Sequence, residues 1–298
     1  MKGGPERAQG VAASELRRRV ADIVRLRMLG QPDAMLQYFA PDVVLHYNCT
    51  KEGLFRPAIW VGHDAFRENI RRTDIDYEPK SAEVIDILVE GESTVVRWRS
   101  RWSHRATGHA AVLDMAHFLH WKNGRIVKMF EFLDYHDGAA RQAPSIGTLE
   151  ELLSPKSPGL TREQINRRAR LLGDFPNTSP NVAQFRRICS PDIVCEFVGD
   201  RARIPYSGRR VGIDALASVV RSIRTEFEQI NSTISELMID GGRVACRRTV
   251  EWRHRGTGRH GLVELADFAR FEDGLIVEII EFRDSITLLE LQGDMEQR

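Results

Sequence analysis

The sequence repeats itself at a fixed spacing of 150 residues. Trp102-Ser-His-Arg-Ala-Thr-Gly108 returns as Trp252-Arg-His-Arg-Gly-Thr-Gly258, and the register holds to the last strand motif of each half. Between positions 96 and 134, 14 of 39 residues are identical to those 150 positions later. A repeat of this length indicates a duplicated domain rather than a short solenoid unit, so each candidate site residue can be compared with its own second copy.

Composition places the chain among folded globular proteins. Its 298 residues are enough for two domains, and 42% hydrophobic with 29% charged residues argue against a disordered or membrane protein. Lysine and arginine (43) nearly balance aspartate and glutamate (42). This balance gives no reason to expect a nucleic acid or a membrane as a partner.

Cysteine spacing and the N-terminal residues bear on the compartment. Cys49, Cys189, Cys195 and Cys246 show no Cys-x-x-Cys spacing, which favours free buried thiols in a reducing compartment. The first residues are polar and arginine-rich, without the apolar core of a signal peptide, and no apolar run reaches membrane-spanning length. We therefore expect a cytoplasmic protein.

The hydrophobic periodicity predicts helices followed by a meander of strands. Helices are expected from Ser14, as N-cap, to about Gly30, then over Asp33–Phe39 and Val61–Ile70, with a strand over Val43–Tyr47. Glycine turns then separate four predicted strands, Ala82–Glu90, Thr94–His104, Ala110–Trp121 and Arg125–Leu133. This order indicates the α+β class.

The second half repeats the same order of elements. Thr161-Arg-Glu-Gln164 is a capping box that opens a helix towards Gly173, and Asn181–Ile188 corresponds to the short second helix. Prolines, glycines and serines indicate a linker between the halves, with one short helix at Thr148–Leu153. The predicted division is a first domain over 14–137, a linker over 138–160 and a second domain over 161–298.

Each half ends in a similar strand motif. Asn123-Gly-Arg-Ile-Val127 and Glu131-Phe-Leu-Asp134 correspond to Asp273-Gly-Leu-Ile-Val277 and Glu281-Phe-Arg-Asp284. In this order of elements, the chain resembles tandem SnoaL-like domains of the nuclear transport factor 2-like (ketosteroid isomerase-like) superfamily. The resemblance implies two cone-shaped domains, each with helices packed in a curved antiparallel sheet around a hydrophobic pocket. This fold hosts isomerases, cyclases, dehydratases, epoxide hydrolases and non-enzymes, so the function must be argued from the pocket residues.

Strand alternation assigns side chains to the inside or the outside of each expected cone. Residues two positions apart on a strand share a face, and the superfamily resemblance implies that the Trp98 face is the inner one. The side chains expected inside the first cone are Val96, Trp98, Ser100, Trp102, Leu113, Met115, His117, Leu119, Val127, Met129, Glu131 and Leu133. Those expected inside the second cone are Arg248, Val250, Trp252, Val263, Leu265, Asp267, Val277, Ile279 and Glu281.

Ketosteroid isomerases provide one test of these positions. They use an aspartate base, a tyrosine and a protonated aspartic acid. By the resemblance, the protonated acid corresponds to Asp267, or to His117 in the first copy. The base corresponds to Tyr47 and Phe197, neither of which removes a carbon-bound proton at neutral pH, and the tyrosine falls near Ile23. Only one of the three catalytic roles has a suitable residue in this chain, which argues against ketosteroid isomerase activity.

Limonene-epoxide hydrolases provide a second test, because they use two aspartates and an arginine. By the resemblance, the last acid corresponds to Glu131 and Glu281. The first copy lacks the arginine and the other acid, while the second keeps the arginine as Arg248 but has Val250 in place of the acid. Neither copy has the full set, which weakens this assignment as well.

The remaining pocket residues are candidates with structural alternatives. Asp267 and His117 are the candidate catalytic acid–base residues, since an acid that faces an apolar pocket must be neutral or paired, whereas His117 has the alternative of a core histidine. The expected substrate-binding residues are Tyr47, Trp98, Trp102, Met115, Glu131, Arg248, Trp252 and Glu281. No metal-ligand spacing, phosphate loop or nucleophile motif stands out, and we expect no cofactor and no metal.

Two of these candidates, Glu131 and Glu281, have a specific structural alternative. An inward glutamate can form a salt bridge with an arginine of the first helix, such as Arg27 or Arg168. The recurring Trp102 and Trp252 stand beside a Thr-Gly turn, where a purely structural role is common.

The outward positions of the last strands are apolar in both halves, namely Phe130, Phe132, Ile280 and Phe282. An exposed apolar sheet face indicates a contact surface. The resemblance also implies such a contact, because superfamily members commonly dimerise sheet to sheet. We therefore expect an internal pseudo-dimer of the two domains, with a further homodimer as an open alternative.

Copy-against-copy comparison gives the functional expectation. The scaffold recurs, but the pocket diverges at Tyr47 against Phe197, at Trp98 against Arg248 and at His117 against Asp267. We expect two unequal cavities that bind a small hydrophobic, oxygenated compound, polyketide- or steroid-like, in a cofactor-independent isomerase, cyclase or hydratase. The alternative is a non-catalytic binding or assembly module with degenerate pockets.

Overall fold

A computed structural model describes residues 11–48, 59–136, 157–174 and 186–294. The first half contains helices α1 (Ala13–Met28), α2 (Pro32–Leu36) and α3 (Gly62–Asp76) and strands β1 (Phe39–Tyr47), β2 (Ile59–Val61), β3 (Tyr77–Glu90), β4 (Ser93–His104), β5 (Ala110–Lys122) and β6 (Arg125–His136).

The second half repeats this order. It contains helices α4 (Arg162–Asp174), α5 (Ile213–Glu226) and α6 (Ser285–Gln292) and strands β7 (Cys189–Phe197), β8 (Gly208–Val211), β9 (Phe227–Asp240), β10 (Arg243–His254), β11 (His260–Glu272) and β12 (Leu275–Arg283). Its five long strands each begin 150 residues after their counterparts.

Each half forms one six-stranded sheet, which confirms the α+β class and the duplicated fold. The first sheet has the order β2-β1-β6-β5-β4-β3, and the second has the order β8-β7-β12-β11-β10-β9. The predicted meander is antiparallel throughout, but β1 runs parallel to β6 and β7 runs parallel to β12. The sheets are therefore mixed rather than purely antiparallel, because β1 joins β6 through α3 and the whole meander rather than through a hairpin.

Two predicted helix starts differ from the structure. Helix α1 begins at Ala13 and Ala12 is its N-cap, without a side-chain hydrogen bond, so the prediction of Ser14 as N-cap is wrong. Helix α2 begins at Pro32, a residue favoured in the first helical turn, and strand β1 already begins at Phe39.

Other element limits also differ from the prediction. Helix α3 continues past Ile70 to Asp76. Strand β2 and helix α6 were not predicted, because a three-residue strand shows no alternation and α6 buries Leu288, Leu289 and Leu291 without a single apolar stripe.

The predicted capping box at the start of α4 is confirmed. The backbone N–H of Gln164 donates to Thr161 Oγ1 at 3.3 Å, and the backbone N–H of Thr161 donates to Gln164 Oε1 at 2.8 Å. Of the predicted helix Asn181–Ile188, the structure describes residues 186–188, which are helical. The predicted linker helix Thr148–Leu153 lies outside the described residues.

The inner face of each sheet, defined here as the face that packs on the helices, carries the core of its domain. The predicted inward residues Val96, Trp98 and Met115 are buried in the first core, and Val250 and Leu265 are buried in the second. Side-chain alternation along β4, β5, β10 and β11 therefore predicts the inner face correctly.

The base of the last hairpin is an exception to this alternation. Ile126 and Ile276 are buried in the cores, so the assignment of Val127 and Val277 to the inner face is wrong. On β6, Trp121 pairs with Ile126 and His120 pairs with Lys128, which leaves Val127 as an extra residue; the same shift recurs in the second sheet. A β-bulge of this kind reverses the side-chain parity on either side of it.

The outer faces of the two sheets share one buried apolar cluster. It includes the four residues Phe130, Phe132, Ile280 and Phe282, together with Leu88, Val95, Ala116, Phe118, Val198, Met238, Ala245, Ala266 and Phe268. Arg97 lies over the Phe268 ring at 5.2 Å, and Arg247, 150 residues later, lies over the Phe130 ring at 3.7 Å. The arginine face of β4 is thus partly covered by the other domain.

Strands β3 and β9 make reciprocal contacts across this boundary. The backbone N–H of Val89 donates to Asp240 Oδ2 at 3.0 Å, and the backbone N–H of Ile239 donates to Glu90 Oε2 at 2.8 Å. Both donors and both acceptors are 150 positions apart, so the same contact is made in both directions. The two sheets are therefore related by an approximate two-fold arrangement.

The structure can be compared with the predictions made for the cysteines and for membrane-spanning segments. Cys189, Cys195 and Cys246 are buried and free as predicted, while Cys49 lies outside the described residues. No helix in the described ranges is both long and apolar enough to span a membrane.

Candidate functional site

Three neighbouring strands bring a group of charged side chains to the inner face of the second sheet. Arg248 comes from β10, Asp267 from β11 and Glu281 from β12. Asp267 pairs directly with Glu281 across β11 and β12, and with Cys246 across β10 and β11. Because Arg248 stands two residues after Cys246, it shares that face and reaches both carboxyls.

Arg248 forms ion pairs with both acids. Its Nε donates to Asp267 Oδ2 at 2.5 Å, and its Nη2 donates to Glu281 Oε2 at 3.2 Å. Arg283 Nη2 donates to the other oxygen of Glu281, Oε1. The Glu281 carboxyl is therefore held between two guanidinium groups, one on each oxygen.

The protonation of this group follows from burial and charge. Burial raises the pKa of Glu281, the guanidinium groups of Arg283 and Arg248 oppose this shift, and the hydrogen-bonded Asp267 carboxyl adds to it. Burial alone would lower the pKa of Arg248, but Asp267 and Glu281 outweigh it, so the pKa lies above its ordinary value. The raised pKa of Glu281 favours its protonated form beside Arg248 and Arg283.

A cavity of about 90 Å³ adjoins these side chains inside the second domain. Its wall is mainly apolar and comes from α4, α5 and the strands of the second sheet: Ala169, Leu172, Phe197, Leu216, Val220, Ile223, Val244, Trp252, Phe268, Ala269 and Ile279. Its polar or charged members are Arg224, Cys246, Arg248, Asp267 and Glu281. An apolar pocket with a few convergent polar groups is the usual form of a small-molecule site.

Cys246 lines the cavity but is poorly suited to act as a nucleophile. Burial and the nearby Asp267 carboxylate raise the pKa of its thiol to about 12. Because the thiolate is the reactive form, this thiol is inert at neutral pH.

Arg283 is the site residue that the sequence reasoning missed. It is completely buried, and its guanidinium lies 5.5 Å from the Phe197 ring centre and 5.0 Å from that of Tyr206. The signal was present in the sequence, since position 283 has the same parity as Glu281 and carries leucine, Leu133, in the first copy.

The first domain brings together a different set of predicted residues. His117 Nε2 lies 3.1 Å from Glu131 Oε2, and the Trp98 ring meets the His117 ring edge-on at 5.6 Å. Trp98 and Met115 belong to the hydrophobic core. His117 and Glu131 thus occupy the positions of Asp267 and Glu281, but a tryptophan fills the place of Arg248.

Tyr47 lies at the end of β1, opposite Glu131 on the neighbouring strand β6. Its hydroxyl accepts a hydrogen bond from Nδ2 of the buried Asn69 on α3. Tyr47 also packs against the first core. The polar end of this side chain is therefore engaged within the domain.

The recurring tryptophans have different surroundings in the two halves. Trp252 lines the cavity. Trp102 donates from Nε1 to Ser100 Oγ at 2.7 Å, lies under the Arg27 guanidinium at 4.9 Å, and borders an open depression with Tyr77, His104, Thr107, His109 and Ala111. The arginines considered as partners of the glutamates have other contacts: Arg27 pairs with Asp74 at 2.9 Å, and Arg168 donates to the Gly274 carbonyl.

The sequence matches the SnoaL-like domain family over two segments, residues 20–129 and 178–279. The chain belongs to this family. Each matched segment coincides with one of the two sheets, so the protein contains two SnoaL-like domains. No curated protein matches the chain in sequence.

Three of the solved structures that are similar to the chain each cover less than half of it. A candidate isomerase from Rhodopseudomonas palustris is 21% identical, with 45% of this chain and 98% of that chain covered and a TM-score of 0.39. A nuclear transport factor 2-like protein from Burkholderia xenovorans LB400 is 17% identical (42% and 93% covered, TM-score 0.36). IdmH, a candidate polyketide cyclase from Streptomyces antibioticus, is 20% identical (39% and 90% covered, TM-score 0.35).

The two SnoaL-like domains differ most where the second one has its charged group. At matched positions the first domain has Trp98 for Arg248, His117 for Asp267 and Leu133 for Arg283. Leu133, predicted to face inward, is 38% exposed. Since both domains keep the same strands and turns, these differences are not required by the fold.

Proposed function

We propose that the second SnoaL-like domain binds a small, hydrophobic, oxygenated compound in its cavity and performs cofactor-independent acid–base chemistry on it. The observation that carries this proposal is the group Asp267–Arg248–Glu281 on the wall of an otherwise apolar cavity. Isomerisation, cyclisation and hydration all require proton transfer at a fixed point beside an apolar binding surface.

The two carboxyls take different roles in this proposal. Glu281 is the proton donor, because burial raises its pKa and favours the neutral form. Asp267 is the proton acceptor, held by the Arg248 guanidinium at 2.5 Å. Arg248 also stabilises negative charge that develops on a substrate oxygen, an effect that is strong in a water-poor site.

The size of the cavity restricts what can bind. An engineered apolar cavity of about 150 Å³ accommodates a benzene ring, whereas this cavity measures about 90 Å³. A polyketide- or steroid-like compound would therefore place only one end beside the acids, or would require α4 and α5 to move apart.

The alternative function, a non-catalytic assembly module, is favoured for the first SnoaL-like domain. Trp98 is buried in its core at the position of Arg248, and its outer face contributes Phe130 and Phe132 to the cluster shared with the second domain. We propose that this half mainly supports its partner in an internal pseudo-dimer.

Exchange of carbon-bound protons tests the proposed chemistry without knowledge of the natural substrate. The full chain is incubated in deuterated water with a panel of small ketones, enones and esters, and the loss of α-proton signals is followed by NMR. We expect exchange with the wild-type protein and a reduction of roughly 100-fold or more in Glu281→Gln and in Asp267→Asn.

Glu131→Gln is the matched control, since Glu131 occupies the same position in the first domain. It should leave the exchange rate unchanged. Equal exchange in all variants, or a loss in the control as large as that in Glu281→Gln, would contradict the proposal. Binding without any exchange would limit the second domain to a binding role.

A further inference from the structure

We propose that the ligand of the second cavity carries a carboxylate or a comparable oxyanion, which Arg248 binds. The inference deepens the proposed function and rests on it. The first observation is the charge of the group: two guanidinium groups, Arg248 and Arg283, contact the carboxyls of Asp267 and Glu281. Burial raises the pKa of Glu281, and wherever this carboxyl is protonated the group has one positive charge more than it has negative charges.

Cys246, on the same cavity wall, is a neutral thiol at neutral pH and supplies no negative charge. Glu226, which follows Arg224 on α5, contacts Gln292 and lies 3.6 Å from His254 Nε2. A buried positive charge is costly unless it is paired, and an anionic ligand supplies the pair.

Hydrogen bonding at Arg248 also supports an anionic ligand. Its Nε and Nη2 donate to the two acids, but its buried Nη1 has no acceptor among the residues that the structure describes. Arg248 also lines the cavity. Buried donors are nearly always satisfied, so a ligand oxygen in the cavity is the group expected to complete this set.

Comparison of the copies shows that the fold does not demand these arginines. At matched positions the first domain has Asp74 for Arg224, Trp98 for Arg248 and Leu133 for Arg283. All three guanidinium groups are thus specific to the second domain, the one with the cavity. The apolar wall and the volume of about 90 Å³ fit a short aliphatic acid, or the charged end of a longer one.

Matched acids and amides test this inference on the full chain. Butanoate and hexanoate are compared with butanamide and hexanamide, at equal ionic strength set with sodium chloride, by calorimetry and by tryptophan fluorescence, to which Trp252 in the cavity wall contributes. Each amide has nearly the shape of its acid without the charge. We expect the acids to bind roughly 10-fold to 100-fold more tightly, as charge-assisted hydrogen bonds require.

Two variants assign the preference to the cavity. Arg248→Met should reduce acid binding to the level of the amide. Arg253→Met is the control, because Arg253 lies on the same strand but is half-exposed and pairs with Glu228. It should bind both ligands as the wild-type protein does. The comparison on wild-type protein remains decisive if Arg248→Met fails to fold.

Failure of this inference is distinguishable from failure of the proposed function. Equal binding of acid and amide, or acid binding retained in Arg248→Met, overturns the oxyanion inference and leaves a neutral oxygenated ligand as the substrate class. Absence of binding by all four compounds, with no heat and no change in tryptophan fluorescence, overturns the inference and also counts against a ligand site in this cavity.

Discussion

Replacement of Arg248 by methionine removes the centre of the charged group in the second domain. Methionine retains most of the side-chain length, so the main loss is electrostatic. Arg248 is 5% exposed, and its guanidinium holds Asp267 at 2.5 Å and Glu281 at 3.2 Å. Removal of one partner from a buried ion pair costs about 3–5 kcal/mol, because the remaining charge is left uncompensated. We expect the free energy of unfolding at neutral pH to fall by this amount.

The loss should depend on pH in a defined direction. Arg248 opposes the raised pKa of Glu281, so without Arg248 the native Glu281 holds its proton more tightly, whereas the unfolded chain releases it near the ordinary pKa. A native state that binds more protons than the unfolded state loses stability as pH rises. The deficit of Arg248→Met relative to wild type is therefore smallest near pH 4–5 and grows towards about pH 8.

Urea unfolding followed by circular dichroism and by tryptophan fluorescence measures this deficit. The double variant Arg248→Met, Asp267→Asn should recover most of the lost stability, because Glu281 keeps its ion pair with Arg283 and neither acid is left as a carboxylate without a partner. Arg253→Met, on an exposed part of the same strand, should change little. A deficit that is equal in the two single variants, or that persists in the double variant, would refute the reasoning.

Three further outcomes are expected. Phe132→Asp with Phe282→Asp should lower the melting temperature strongly, since loss of a buried phenylalanine costs about 3–5 kcal/mol at each site and a carboxylate adds to it; unchanged stability would argue against a shared apolar boundary. Glu281→Gln should flatten the decline in stability from about pH 5 to pH 8, because its raised pKa makes the native wild type bind more protons; an unaltered slope, measured by thermal unfolding, would contradict this. Burial raises the pKa of the Cys189 and Cys246 thiols to about 12, so a thiolate-specific disulfide reagent should modify them only as fast as the protein unfolds, and rapid modification of the native protein would show the opposite.

The repeat and the strand alternation predicted the fold and most of the inner face. The spacing of 150 residues is visible in the sequence itself. The inward positions of Trp98 and Val250 follow from the two-residue alternation of side chains along a strand. Val127 and Val277 were assigned wrongly because a bulge is a local change of register that the hydrophobic pattern does not reveal.

The candidate site could be predicted only in part. Alternation placed Arg248, Asp267 and Glu281 on one face, but their pairing depends on the register between β10, β11 and β12, which sequence parity alone leaves open. The role of Arg283 also depends on the loop that brings Tyr206 over it. The cavity volume depends on how α4 and α5 pack, and no periodicity encodes it.

The two faces of strand β12 make different contacts, and this affects how the two domains can diverge in sequence. Ile280 and Phe282 belong to the boundary between the sheets, while Glu281 between them faces the cavity. In a dimer of two identical chains, any substitution in the pocket appears twice, once in each subunit. Fusion of both copies in one chain removes that coupling, because each gene half mutates alone while the other half preserves the contact surface. Two domains fused in one chain can therefore carry different residues at matched positions, such as Trp98 and Arg248, whereas the subunits of a homodimer cannot.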